Sequence, residues 1–176
     1  MHIKKFDALE LGRVAALCSR ITINVFGDVG LSEWPEISPS FVRDKAYLVM
    51  KKHGEPLHFR TIARLIGEYN LSEKRAHPQT VHNELIKDSR FVLVGRGIYG
   101  LKEQGFEGGT VCEVIARILA ENGAMSTDDI VREVQKRKIS KRNTIVLNLQ
   151  NRDLFERLSE EGSIKYQLVR DKNSEQ

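Results

Sequence analysis

The chain has 176 residues, 40 % of them hydrophobic, with 28 Lys+Arg against 24 Asp+Glu and a pI near 9.1. That length holds one ordinary domain or two small ones, and a net charge of +4 permits a polyanionic partner without demanding one. Two cysteines, Cys18 and Cys112, show no CxxC spacing, which excludes a disulfide scaffold and a zinc-finger set and points to a reducing compartment.

The segment 1–38 reads as an N-terminal helix followed by a linker. Met1 to Lys5 is basic, but Asp7, Glu10 and Arg13 interrupt the next stretch, so it does not form the apolar block of a secretory signal. Leu17 is too large for the residue before the cysteine of a lipoprotein cleavage box, and no run approaches transmembrane length. The expected location is cytoplasmic, in association with the nucleoid. Phe6, Leu9, Val14, Leu17 and Ile21 predict an amphipathic helix. Gly27 to Gly30 and Trp34 to Pro39 read as an ordered linker, with Trp34, the only tryptophan, packing onto the next domain.

A first domain is expected over 39–105. Ser38 can cap a helix with Pro39 in its first turn. Val42, Ala46, Val49, Met50 and His53 then share one face, which makes His53 a core or boundary residue, and Gly54 stops the helix. Glu55 to His58 is extended, because a residue before proline avoids the α region. Phe59, Ile62, Ala63 and Ile66 mark a second helix. Pro78 opens a third, with Val81 and Leu85 inward. Phe91–Val94 and Ile98–Leu101 form a hairpin in which Gly95 and Gly97 supply the freedom of the tight turn. This is the element order of a winged helix-turn-helix.

The plan repeats over 109–170. Val111, Val114, Ile115 and Ile118 give a helix ending near Gly123. Ser126 and Asp129 form a capping-box-like start to a second, which carries Ile130 and Val134. Lys141 to Asn151 is a third, and a hairpin runs through Phe155–Leu158 and Ile164–Leu168 around Gly162. Thr80, Val81, Leu85 and Phe91 stand at offsets 0, 1, 5 and 11, and so do Thr144, Ile145, Leu149 and Phe155. Residues 171–176 are expected to fray. The fold class is α+β, mainly α: two tandem winged helix-turn-helix units behind an N-terminal helix and linker.

No catalytic constellation emerges. The five histidines are scattered without HxxxH or HExxH spacing, Asp128-Asp129 suits a helix start better than a metal, and Gly95-Arg96-Gly97 lacks the lysine of a phosphate loop. The reading is therefore a protein without enzymatic activity, cofactor or metal. Charge points instead to nucleic acid. Residues 40–105 carry 12 Lys+Arg and 7 Asp+Glu, a net +5, whereas 109–176 carry 12 and 11, a net +1.

With Val81 and Leu85 inward, Gln79, His82, Asn83 and Lys87 fall partly or wholly outward on the third helix, and Thr80 is a further candidate DNA contact. Gln and Asn pair in bidentate fashion with adenine in the major groove. Lys87 and Arg90 suit phosphates, and Arg96 at the wing tip suits a minor groove or the backbone. In the second copy Glu160-Glu161 at the wing tip would repel that backbone, while Lys138, Lys141 and Arg142 offer basic contacts. Protein docking or a purely structural role is expected for that copy ahead of double-stranded DNA, which stays open.

Arg43 to Leu48, Pro56 to Phe59, Thr80 to Ile86 and Phe91 to Tyr99 resemble the HARE-HTH winged-helix family over roughly 40–104, and also the N-terminal domain of the bacterial RNA polymerase delta subunit. The resemblance implies DNA binding or docking within transcription, chromatin or restriction machinery. Gly30 to Ile37, Gly109 to Val111 and Asn143 to Gln150 are similar to the C-terminal extension of housekeeping-type bacterial sigma factors. That implies RNA polymerase or other transcription proteins as partners. Two departures stand out: nothing resembles the sigma regions that grip the polymerase and read the promoter, and Gln104 occupies a position where those extensions are expected to carry an aromatic. The chain by itself is therefore not expected to work as a sigma factor. The rival readings are a protein-interaction module without DNA affinity and the DNA-binding component of a restriction or modification system. The oligomeric state is left open.

Overall fold

A computed structural model describes residues 20–160 and 163–169. The expected N-terminal helix, apart from Ile21, and the tail 171–176 lie outside the described residues, as do Glu161 and Gly162 at the second wing tip. The chain divides into two compact units, 1–89 and 90–176.

The first unit opens with an element that the sequence pattern does not announce. Strands β1 (Ile21–Ile23) and β2 (Val29–Leu31) pair antiparallel, Thr22 opposite Gly30, so Ile21 is in a strand and the expected linker begins as a hairpin. The buried side chain of Asn24 organises its turn. Oδ1 accepts from the backbone N–H groups of Phe26 and Asp28, both at 2.9 Å, and Nδ2 donates to Asp28 Oδ2 at 3.0 Å and to the Glu36 carbonyl at 2.9 Å. Asn side chains replace backbone partners in turns in this way. Trp34 remains 45 % exposed and its ring lies against Gly30 of β2.

Helix α1 (Val42–His53) begins later than expected, with Phe41 rather than Ser38 at its N-cap. The reason is local: the N–H groups of Ile37 and Ser38 both bond to the Trp34 carbonyl, which closes a separate turn. His53 is exposed at the last turn, not in the core. Its position on the stripe matters less than its place at the helix end, beside Lys51 and Lys52. Gly54 ends the helix at φ 82° and returns its N–H to Met50, a conformation glycine adopts without strain.

A short strand β3 (Leu57–His58) leads into α2 (Phe59–Glu68), capped by His58, whose Nδ1 accepts from Arg60 N at 3.2 Å. Pro78 stands at the start of α3 (Pro78–Lys87), where its missing N–H costs nothing, and His77 caps that helix through Gln79 N. The apolar faces read from the sequence pack inward: Ala46, Val49, Met50, Ile62, Ile66, Val81 and Leu85 are all essentially fully buried.

In the second unit, β4 (Phe91–Gly95) and β5 (Ile98–Leu101) pair antiparallel with a bulge between Leu93 and Gly95. Only Gly97 needs left-handed backbone, at φ 66°; Gly95 is not left-handed, and a Cβ there would approach Ile98 Cδ1 to 3.3 Å. Gly95 thus provides space, not turn geometry.

A 3-10 turn (Lys102–Gln104) leads into a linker and α4 (Val111–Asn122), which starts with a complete capping box between Thr110 and Glu113. The Gln104 Oε1 is buried without a hydrogen-bond partner among the described residues. Strand β6 (Met125–Ser126), α5 (Thr127–Arg137), α6 (Arg142–Asn148), β7 (Phe155–Glu160) and β8 (Ser163–Leu168) complete the unit, with sheet order β6-β8-β7. Ser126 caps α5 through Asp129 N. The core gathers Val114, Ile115, Ile118, Ile130, Val134, Ile145, Leu149 and Phe155. The element order of 42–101 recurs over 111–168, and the paired inward positions agree: Val81, Leu85 and Phe91 are buried, as are Ile145, Leu149 and Phe155.

Candidate nucleic-acid interface

The outward face of α3 is built by its inward one. Burying Val81 and Leu85 turns Gln79, Thr80, Asn83 and Lys87 to solvent, all of them exposed. Gln79 Nε2 donates to Asn83 Oδ1 at 3.1 Å, an i,i+4 bond along the helix surface. The bond leaves Gln79 Oε1 as an acceptor and Asn83 Nδ2 as a donor, side by side. An adenine edge presents the complementary N6–H donor and N7 acceptor.

Lys87 reaches Glu84 at 3.8 Å with its side chain 74 % exposed, a loose pair that a phosphate can replace. His82 is half-buried, its ring 4.7 Å from that of Phe59, so it acts mainly as packing at the edge of this face. Ile86 also lies on the exposed surface.

Arg90 is half-buried with its guanidinium over the Phe91 ring, 5.8 Å from the centroid. Arg96 sits on the turn between β4 and β5, exposed, with no hydrogen bond or ion pair among the described residues.

The basic residues of the second copy are differently placed. Arg142 Nη2 is paired with Asp128 Oδ1 at 2.6 Å, and Lys138 Nζ donates to the Leu93 carbonyl at 3.1 Å. Burial pushes the Lys138 ammonium below its ordinary value. Lys141, at the N-cap of α6, is exposed and makes no bond or ion pair through its side chain among the described residues. Their neighbours Lys136 and Arg137 are paired with Glu133, and with Glu107 and Glu121.

The 64-residue register between the copies sharpens the contrast. Where the first has His82, Asn83, Lys87, Arg90 and Arg96, the second has Val146, Leu147, Asn151, Leu154 and Glu160. Leu147 is 66 % exposed and Leu154 43 %. This exchange of polar for apolar side chains escapes a search for charge and motif, although the register of the repeat signals it.

Among the described residues, no group of three or more His, Cys, Asp or Glu is placed to hold a metal ion. Burial and the neighbouring Glu113 push the Cys112 thiol up, the opposite of what an activated thiolate requires. No helix among the described residues is long and apolar enough to cross a membrane.

Residues 41–104 match the HARE-HTH family, described as the ASXL and restriction-endonuclease HTH domain. The chain carries a HARE-HTH domain. This helix-turn-helix type is a DNA-binding one, and the matched residues take in α1 to α3, the hairpin β4–β5 and every candidate residue from Gln79 to Arg96. No curated protein and no solved structure matches the chain.

Proposed function

We propose that this protein is a non-enzymatic, DNA-binding component of a transcription apparatus, acting by positioning. The HARE-HTH match over 41–104 carries the reading. The amide pair on α3 and the exposed Arg96 support it, because one suits a base edge and the other a phosphate. In this reading Gln79 and Asn83 contact bases, Thr80, Lys87 and Arg90 contact the backbone, and His82 supports the helix from its packed edge. The second copy, a winged-helix-like unit over 109–170, docks onto protein. The support is its exposed Leu147 and Leu154 at positions where the first copy is polar or basic. The resemblance of Gly30 to Ile37 and Asn143 to Gln150 to sigma-factor extensions supports RNA polymerase as that protein, and with it a bacterial cytoplasmic location on the nucleoid.

Duplex binding followed by fluorescence anisotropy at several salt concentrations tests the DNA half. Each neutralised phosphate contributes about 0.9 to the slope of log K against log salt. Arg96→Ala and Lys87→Ala are each expected to weaken binding and flatten that slope by up to about this amount. Absence of binding at low salt, or variants indistinguishable from wild type, refutes the reading and favours a protein-interaction module.

A further inference from the structure

We infer that the second copy braces the wing of the HARE-HTH domain, with Lys138 as the positioning residue that fixes how Arg96 is presented. Here the bulge between Leu93 and Gly95 comes immediately before the turn that bears Arg96. Bulges re-aim the residues beside them, so whatever holds the bulge sets the direction of the tip.

The Leu93 carbonyl at that bulge accepts the Lys138 ammonium at 3.1 Å, across 45 residues of sequence. Lys138 is the C-cap of α5, where a cation is also favoured by the helix dipole.

The far end of the wing is held as well. The Glu107 N–H donates to the Arg137 carbonyl at 2.9 Å, next to Lys138. The Glu107 carboxylate accepts from Arg117 Nε at 2.8 Å and Arg137 Nη1 at 3.0 Å, while Arg117 Nη2 donates to the Gly108 carbonyl at 2.8 Å. Gly108 in turn lies against the Val92 side chain of β4. Residues 107–108 are thereby joined to α4 and α5, and Leu93 to the end of α5. The bond to a carbonyl also explains why a lysine in a basic run is half-buried rather than spread into solvent.

The inference rests on the DNA reading for its consequence but not for its structural claim, and the tests separate the two. In the full chain, Lys138→Met is expected to speed amide hydrogen exchange across β4–β5 while leaving α4 as protected as in wild type, and Lys138→Arg is expected to restore protection. Glu107→Gln is expected to loosen the same hairpin from its other end. Unchanged exchange in the hairpin of both Lys138→Met and Glu107→Gln overturns the brace, whether or not the protein binds DNA.

For DNA, Lys138→Met is expected to weaken binding about fivefold in the wild-type background and not at all in the Arg96→Ala background, as coupled positions do. A further loss of affinity in the Arg96→Ala background, with a slope flattened again by about 0.9, would instead make Lys138 a direct phosphate contact and overturn the assignment. If wild type does not bind duplex at low salt, the functional proposal fails, and the hydrogen-exchange result alone decides the brace.

Discussion

Gly100 lies in β5 with no room above it. A Cβ placed there would come within 2.8 Å of both Cγ and Cδ2 of Phe106 and within 2.9 Å of its Cβ. Carbon contacts are optimal near 3.5–4.0 Å, so the overlap is roughly 0.7 Å. Rotating the Phe106 ring removes the Cδ2 contact but not the one to Cβ, which moves only with the backbone. That backbone leads straight into residues 107–108, held by Arg137 and Arg117. Gly100→Ala is therefore expected to cost about 2 kcal/mol, in the range of overpacked cores. The melting temperature should fall by about 4–8 °C if the chain unfolds as one, and by about 8–16 °C if residues 90–176 unfold by themselves. Thermal and urea unfolding followed by far-UV circular dichroism measure it. A change under about 1 °C would show that the linker yields freely, and the argument that this stretch is rigid would fail.

Gly67→Ala should act in the opposite direction: Gly67 lies within α2 with open space around it and no positive φ, so stability should rise by about 0.5–1 kcal/mol in urea titrations, and any loss contradicts the geometry. His77→Ala removes the acceptor that caps α3 and should cost about 0.5–1 kcal/mol, while His77→Ser should recover most of it; equal stabilities of the two variants would show that His77 is not acting as a cap. For Asp28, burial raises the carboxyl, but hydrogen bonds from Lys52 and Asn24 outweigh it and hold the group below its ordinary 3.8. Its contribution is therefore complete above pH 3.8 and is lost as pH falls through the lowered folded value. Urea midpoints read by Trp34 fluorescence should fall less on acidification for Asp28→Asn than for wild type, and parallel curves would refute the linkage.

What was legible in the sequence was local. The helices over 42–53, 59–68 and 78–87 show themselves through apolar positions repeating every three or four residues, because one continuous face is buried. The Gly54 stop, the Pro78 start and the Ser126 cap are equally local, each set by one residue's backbone or side-chain chemistry. The β1–β2 hairpin was hidden because strands of three residues are too short for alternation to register. The residue that holds its turn, Asn24, works through bonds that reach as far as Glu36, and a linker's composition gives no sign of them.

The candidate face shows the same division between local and distant causes. Outward placement of Gln79, Asn83 and Lys87 follows from helical periodicity, and the structure agrees. Availability of a cation does not follow from periodicity, because it depends on partners far along the chain. Arg137 meets Glu107 across 30 residues, Arg142 meets Asp128 across 14, and Lys138 meets the Leu93 carbonyl across 45. Lys138, Lys141 and Arg142 look alike as a basic cluster, yet among the described residues only Lys141 of the three has no such partner.

A segment's net charge therefore overstates what the second copy offers a phosphate, since partnered side chains must break existing bonds to bind one. Among the described residues Arg96 breaks none, and Lys87 only a loose contact with Glu84. The difference in unengaged positive charge between 40–105 and 109–176 is thus larger than the net charges of +5 and +1 imply. It also explains how a run rich in lysine and arginine can serve the protein's own architecture: in 136–142 most of the positive charge is already engaged in holding α4, α5 and the wing in place.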